Sequence, residues 1–279
     1  MLTHRWVTVD QGNTALSVVD WQLAAQAEGG PWQVASHVVH PRLGGLDELP
    51  EIEGEPAGVA SSSVRGAAGR ELLVALGARF GTSAMARGAT ECGLELDLET
   101  PETTGADRLF AARAAWELCR APCVVVDAGT AMTVDLVVDQ TFRGGAIAPG
   151  ARALAGSLAE RGAQLFEITP RPGVPALGRS SQAALEAGVV VGLRGAARAL
   201  VTGLMATAPV GPVGLIVTGG DRELLLAPTS FTADVQVEGR ELAVPLVVPL
   251  AVHLGLLCAS VPGLVLDAGT FGEAAGRRT

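Results

Sequence analysis

Two turns of this sequence combine the residue types that bind phosphate groups in proteins. Each follows an apolar run and joins an aspartate to a glycine and to hydroxyl or amide side chains, at Asp10–Thr14 and Asp127–Thr133. A glycine-containing bend lets backbone N–H groups approach an anion, and Thr and Asn side chains donate further hydrogen bonds. The predicted phosphate-binding residues are Asp10, Gly12, Asn13, Thr14, Gly129, Thr130 and Thr133.

The aspartates of the two turns are candidate cation ligands. All 20 basic residues are Arg, which excludes a Walker P-loop and Schiff-base chemistry and leaves cations to balance phosphate charge. Asp10 and Asp127 each end a strand, and both are suited to hold Mg²⁺ directly or through its waters. The alternative is an ordinary Asx-type hairpin turn at each place. Two copies at the ends of different strands favour the binding function.

Asp107 is a candidate catalytic base. A hydroxyl that accepts a phosphoryl group needs a carboxylate that takes its proton as the new bond forms. The competing interpretation is structural, because Thr104 and Asp107 have the spacing of a helix capping box. Arg108 beside it either binds a substrate carboxylate or lies solvated on the helix. The residues alone leave both pairs of alternatives open.

Hydrophobic patterns predict the elements that position these residues. Strands are predicted at residues 4–10, 14–21, 32–40, 56–62, 124–127, 133–138, 213–218 and 246–248. Helices are predicted at residues 66–76, 108–120, 151–160, 180–206 and 250–259. The first three strands form an antiparallel meander, and residues 91–101 form a loop or an edge strand. Two copies of one phosphate-binding turn indicate two lobes, which we place at residues 1–117 and 118–279.

Composition excludes several classes of protein. With 48% hydrophobic and 18% charged residues, the 279-residue chain is expected to form a well-buried globule. A net charge of −9 and the lack of an Arg-dense run argue against nucleic acid as a partner.

The uncharged stretch 243–266 is long enough to span a bilayer, but Pro245, Pro249 and Pro262 favour a buried strand and a core helix. Because the first residues run directly into the first predicted strand, no signal peptide is expected. Four cysteines without metal-ligand spacing are interpreted as structural thiols: Cys92, Cys119, Cys123 and Cys258.

Five motifs occur together and in chain order. They are Asp10-x-Gly12-Asn13-Thr14, Gly105-Ala106-Asp107-Arg108, Asp127-x-Gly129-Thr130-Ala131-x-Thr133-x-Asp135, Gly144-Gly145-x-Ile147-x-Pro149-Gly150 and Thr218-Gly219-Gly220-Asp221. As a set they resemble the type III pantothenate kinases, which belong to the acetate and sugar kinase/Hsp70/actin superfamily. The resemblance covers nearly the whole chain.

The resemblance implies a fold and an activity. The fold is α/β, with two duplicated ribonuclease H-like lobes, each a mixed β-sheet flanked by helices, and with the nucleotide cleft between them. The activity is ATP-dependent phosphorylation of the primary hydroxyl of pantothenate to 4′-phosphopantothenate, the first step of coenzyme A biosynthesis. A cytoplasmic enzyme that does not contact nucleic acid or membrane is expected.

The resemblance also implies roles for individual residues. Asp107 is the base, and Gly105, Ala106 and Arg108 line the pantothenate pocket. The two turns hold the phosphates of ATP, with Mg²⁺ at Asp10 and a monovalent cation, K⁺ or NH₄⁺, at Asp127. Family members are homodimers, in which the segment that contains Ser181 completes the substrate pocket of the other subunit.

Three positions that concern the predicted pantothenate pocket depart from the family pattern. Leu98 and Thr100 stand where the family often has Tyr and Asn, and Ser181 stands where the partner-subunit Thr is usual. Two rivals therefore remain. One is another small-molecule kinase of the same superfamily that accepts a different alcohol, and the other is a non-catalytic nucleotide-binding regulatory or accessory protein. The three intact aspartates favour an enzyme.

Overall fold

The computed structural model describes residues 5–23, 32–40, 55–80, 84–86, 89–162, 165–226, 235–243 and 245–261, with Leu264 and Leu266. The chain divides into two compact units. The first unit combines Met1–Leu118 with Ala251–Thr279, and the second unit is Cys119–Leu250. Each unit has its own β-sheet and helices, which confirms the predicted α/β class.

The first unit is built on a mixed sheet. Its strands are β1 (Arg5–Gln11), β2 (Leu16–Leu23), β3 (Trp32–His40), β4 (Gly58–Ser63) and β5 (Ala84–Ala86), in the order β3-β2-β1-β4-β5. The pairs β1–β2 and β2–β3 are antiparallel, whereas β1–β4 and β4–β5 are parallel. The other elements are the short strand β6 (Glu95–Leu96) and the helices α1 (Gly66–Phe80), α2 (Ala106–Cys119) and α6 (Ala251–Ser260).

The second unit repeats this topology. Its strands are β7 (Cys123–Ala128), β8 (Ala131–Val138), β9 (Thr141–Pro149), β10 (Gly211–Thr218), β11 (Arg240–Leu242) and β12 (Leu246–Val247), and its helices are α3 (Ala151–Arg161), α4 (Ser181–Met205) and α5 (Arg222–Leu226). The strands β7, β8 and β9 are antiparallel, β10 runs parallel to β7, and β11 and β12 run parallel to β10. The arrangement β3-β2-β1-β4 thus recurs as β9-β8-β7-β10, which confirms the predicted duplication.

Buried strands hold the two predicted turns in place. In the first unit, Val7 and Val9 of β1 are buried with Leu72 and Leu76 of α1. Alternation along the strand and the i,i+4 spacing of the helix place each pair on one face. In the second unit β7 is apolar on both faces over Val124–Val126, as in a strand covered on each side. The ends of β1 and β7 are therefore rigidly positioned.

The C-terminal helix α6 belongs to the first unit. The predicted lobe boundaries placed it in the second lobe, with residues 118–279. It packs on β1 and β4, where the side chain of His253 lies 2.9 Å from the hydroxyl of Thr8. Gly255 lies directly against the carbonyl of Phe110, so that a Cβ at this position would overlap it. The helix was predicted from its apolar residues, but the sheet that it covers is set by these long-range contacts.

Among the described helices, α4 alone has the length and apolar composition needed to cross a bilayer. A third of its most apolar 18-residue segment is buried within the protein. Its buried stripe includes Leu185, Val189, Leu193 and Val201, which pack in the core of the second unit. This repeat of three to four residues is that of a helix with one face on a core.

Candidate active site

The first turn connects β1 to β2. The N–H of Gly12 donates to the carbonyl of Ala15 at 3.0 Å, which closes the bend. Asn13 and Thr14 are exposed at its tip, while Gly12 is half-buried. The predicted residues therefore form one turn at the end of a buried strand, where backbone and side-chain donors are accessible to an anion.

Asp10 is held by β4 at the end of β1. The parallel register places it beside Ser62, whose buried hydroxyl donates to Asp10 Oδ1 at 2.7 Å. One residue further along, Ser63 donates to Gln11 Oε1 at 2.7 Å. The pKa of Asp10 is raised to about 6: loss of hydration is the largest cause, the Ser62 hydrogen bond opposes it, and the negative charge of Asp107 adds to the rise. A cation beside Asp10 would relieve both unfavourable effects, so this donor fits Mg²⁺.

Asp107 lies in the first turn of α2, within electrostatic range of Asp10. Its Oδ1 accepts a hydrogen bond from the N–H of Arg108 at 2.8 Å. The capping-box alternative is not realised, because the N–H of Thr104 donates to Pro101 O at 3.2 Å rather than to Asp107. A Cβ on Gly105 would lie 2.5 Å from Asp107 Oδ1. Gly105 thus leaves the space that this carboxylate occupies.

The neighbours of Asp107 in the predicted pantothenate pocket differ in exposure. Ala106 is buried with 8% of its surface exposed, so it contributes mainly to packing at the helix start. Arg108 and Gly105 are half-buried. Leu98 is half-buried and Thr100 is exposed, with its hydroxyl 3.0 Å from that of Thr103.

The second turn, Gly129–Thr130, connects β7 to β8. The N–H of Gly129 donates to Ala131 O at 3.0 Å, as Gly12 does to Ala15 in the first turn. Asp127 pairs in register with Thr133, and both are half-buried, while Thr130 is exposed. The structure thus brings the predicted residues of this turn together at the end of β7.

Helix α3 begins directly against the second turn. Gly150 precedes the helix and donates its N–H to Thr130 O at 3.1 Å. A Cβ at Gly150 would overlap the carbonyl oxygen of Gly129 and would lie 2.7 Å from that of Thr130. The first N–H groups of a helix lack intrahelical partners and carry partial positive charge. Sequence reasoning assigned no role to Gly150, although the Pro-Gly pair before an Ala-rich helix was a usable signal.

The loop after β10 packs against Asp127. Gly219 has φ +92°, and a Cβ there would overlap Asp127 Oδ1 and Ala128 O. Asp221 donates its N–H to Ala128 O at 2.8 Å. Burial raises the pKa of Asp221, and the charge of Arg152 lowers it. Asp127 Oδ1 and Ala128 O therefore both lie against Gly219.

Ser181 is the first residue of α4 and is exposed. Ser180 caps the helix, since its hydroxyl accepts a hydrogen bond from the N–H of Ala183 at 3.1 Å. Gly178 lies so close to the backbone of Ala183 and Ala184 that a side chain there would overlap it. Four large apolar side chains between α3 and α4 or on α3 are exposed: Leu158, Leu165, Phe166 and Leu177.

Comparisons with known proteins agree on one family. A family model described as type III pantothenate kinase matches residues 6–203. The type III pantothenate kinase of Thermomicrobium roseum is 32% identical over 246 residues, which cover 80% of this chain and 88% of that protein. A type III pantothenate kinase of Thermus thermophilus is 34% identical over 225 residues, which cover 78% of this chain and 83% of that protein.

Solved structures share the fold. A conserved Campylobacter jejuni protein, described as a candidate transcriptional activator of the Baf family, aligns with a TM-score of 0.54 at 18% identity and covers 91% of this chain and 96% of its own. A Listeria monocytogenes protein described as a candidate N-acetylmannosamine kinase aligns with a TM-score of 0.51 at 14% identity and covers 92% and 98%. At these identities the likeness shows the architecture alone.

Proposed function

The chain belongs to the type III pantothenate kinase family, and on this premise we propose a role for each residue of the site. The protein is an ATP-dependent kinase that phosphorylates pantothenate in coenzyme A biosynthesis. The observation that carries the residue-level proposal is the position of Asp107, whose charge acts on the dehydrated Asp10 at the end of β1.

The phosphates of ATP bind to the two glycine turns. Gly12, Asn13 and Thr14 of one turn and Gly129, Thr130 and Thr133 of the other are the donors. Their exposed or half-buried positions support this role. Because Gly150 has no side chain, the start of α3 can lie directly against Gly129 and Thr130. The helix therefore adds its first N–H groups to the same turn.

Two cations complete the charge balance. Asp10 holds Mg²⁺, directly or through water, and Asp127 holds a monovalent cation, K⁺ or NH₄⁺. The dehydrated carboxylate of Asp10 supports the first assignment, and the Asp127 carboxylate, which lies against Gly219 together with Ala128 O, supports the second. Bound Mg²⁺ supplies charge neutralisation for the β- and γ-phosphates.

Asp107 acts as the base. It accepts the proton of the primary hydroxyl of pantothenate as the hydroxyl oxygen bonds to the γ-phosphorus and the bond to the ADP oxygen breaks. Because its Oδ1 is fixed by the N–H of Arg108, the other carboxylate oxygen remains for the substrate. Arg108 binds the pantothenate carboxylate, Gly105 lines the pocket beside it, and the buried Ala106 supports this lining from the helix start.

A homodimer completes the pocket, with Ser181 of each subunit serving the other. The exposed side chains of Leu158, Leu165, Phe166 and Leu177, which precede Ser181 in one stretch of the chain, support this proposal, because large exposed apolar side chains are candidates for burial at a protein interface. Because its substrates are metabolites of the cell interior, we place the enzyme in the cytoplasm.

Replacement of Asp107 tests the assignment of the base. Asp107→Asn keeps the size of the side chain but removes its basicity, so kcat is expected to fall by about 100-fold or more while ATP affinity changes little. Glu102→Gln is the matched control, because Glu102 is an exposed acid shortly before α2, and it should retain normal kcat. Near-normal kcat of Asp107→Asn would remove Asp107 from the mechanism without removing the kinase activity itself.

A further inference from the structure

Two thiols meet where α2 ends and β7 begins. Cys119 is the last residue of α2 and Cys123 is the first of β7. Arg120 between them has φ +47°, a left-handed conformation that ends the helix and reverses the chain. The Cys119 and Cys123 side chains are joined by a hydrogen bond, and neither takes part in a disulfide.

Gly214 of β10 provides the space in which the two side chains meet. It is the register partner of Cys123. A Cβ on Gly214 would lie 2.7 Å from Cys119 Sγ, 3.2 Å from Cys123 Cβ and 3.3 Å from Cys119 Cβ. All three atoms therefore surround one small volume, and backbone hydrogen bonding holds it, since Gly214 donates its N–H to Pro122 O at 2.8 Å. The neighbouring strand fixes the thiols in one arrangement.

The two thiols differ in exposure and in acidity. Cys119 is partly exposed, whereas Cys123 is fully buried. The hydrogen bond from Cys123 lowers the pKa of the Cys119 thiol, against the opposing effect of burial. The same hydrogen bond, together with burial, raises the pKa of Cys123. A partly exposed cysteine of lowered thiol pKa beside a second thiol is the arrangement found in redox-responsive pairs.

We propose that Cys119 and Cys123 form a peroxide-responsive dithiol, in which Cys119 is the reacting thiol and Cys123 the resolving one. The Cys119 thiolate attacks the O–O bond of a hydroperoxide, so that an S–O bond forms and the leaving oxygen takes a proton as water or alcohol. The Cys123 sulfur then attacks the sulfenic sulfur. An S–S bond forms, and the sulfenic oxygen leaves as water with the thiol proton of Cys123.

The other two cysteines provide an internal comparison. Cys92 is buried, and burial raises the pKa of its thiol. Cys258 is buried on α6. Both residues are buried, whereas Cys119 is partly exposed. The proposal is independent of the kinase chemistry, because it involves neither turn and none of the three aspartates.

Peptide mapping after peroxide treatment tests the proposal on the full chain. Trypsin cuts this lysine-free chain only after Arg, so Cys119 falls in peptide 114–120, Cys123 in 121–143, Cys92 in 88–108 and Cys258 in 241–277. Hydrogen peroxide is expected to join peptides 114–120 and 121–143 by a bond that a reducing agent breaks. The intact mass should fall by two hydrogen atoms, and Cys119 should be consumed about tenfold faster than Cys92.

Variants separate the two roles. In Cys123→Ser the sulfenic acid of Cys119 should persist and be captured by dimedone, and Cys92→Ser should still form the cross-link. Consumption of Cys119 no faster than that of Cys92, or its conversion to sulfinic acid without cross-linked peptides, would overturn the proposal. The consumption rates and the cross-linked peptides are both measured on the wild-type chain, so they remain decisive even if a variant folds poorly.

Discussion

Acid destabilisation of the first unit follows from a buried histidine. His253 has 3% of its surface exposed. Its Nδ1 lies 2.9 Å from Thr8 Oγ1 and its Nε2 lies 2.9 Å from Ser17 Oγ. Its pKa is lowered to about 3: burial is the largest cause, the nearby His37 adds to the lowering, and a hydrogen bond with Thr8 opposes it. His253 is therefore neutral in the folded protein at neutral pH.

The direction and size of the effect follow from proton linkage. Below the ordinary pKa of 6.5 the unfolded chain binds a proton at His253 that the folded chain does not, so stability falls as pH decreases towards 3. Between pH 7 and pH 5 these two pKa values correspond to a loss of about 2 kcal/mol. Asp10 acts in the opposite direction, because its raised pKa stabilises the folded state by about 1 kcal/mol over the same interval.

Comparison with His253→Gln isolates the histidine from the other titrating groups. Glutamine keeps hydrogen-bonding capacity but does not titrate, so the stability difference between wild type and variant should shrink by about 2 kcal/mol between pH 7 and pH 5. Urea unfolding followed by tryptophan fluorescence reports on the first unit, because all four tryptophans lie there. A difference that does not change with pH would refute the reasoning, since His253 would then titrate alike in both states.

Three further predictions concern the site. Gly150→Ala should raise the KM for ATP about tenfold, because its Cβ would overlap the turn that ends at Thr130; unchanged steady-state kinetics would contradict this. Ser62→Ala should raise the Mg²⁺ concentration needed for half-maximal activity about tenfold, because Asp10 loses its hydrogen bond. Ser63→Ala, which frees Gln11 instead, should raise it less in the same Mg²⁺ titration. An equal effect of both variants would argue against a specific role for Ser62. Replacing K⁺ and NH₄⁺ by Na⁺ should abolish turnover, and full activity in Na⁺ would count against the monovalent cation.

Strands, helices and turns with a clear local residue pattern could be predicted from the sequence. The strands β1 and β7 and the helices α1 and α4 follow from their apolar periodicity, and the two turns follow from their glycine and hydroxyl residues. Strand β9 was not predicted, because Gly144 and Gly145 lower its β propensity. The structure explains the second glycine, since a Cβ on Gly145 would overlap the backbone of Val134.

The placement of α6 and the partner of Thr104 depend on contacts that local sequence patterns do not predict. The pattern of α6 predicts a helix, but its place in the first unit depends on partners such as Thr8 and Phe110, far away in the chain. In the same way, the local spacing of Thr104 and Asp107 left capping and catalysis open. In the folded chain the N–H of Thr104 donates to Pro101 O rather than to Asp107, so the reciprocal capping box is not formed, while Asp107 Oδ1 accepts the N–H of Arg108 at the start of α2.

The product of the reaction tests the central claim most directly. Purified protein is incubated with ATP, Mg²⁺, K⁺ and pantothenate, and the products are identified by mass spectrometry and phosphorus NMR. We expect ADP and 4′-phosphopantothenate in equal amounts, and no ADP without pantothenate. ADP release that does not depend on pantothenate, or phosphate transfer only to another alcohol in a panel of acceptors, would contradict the account.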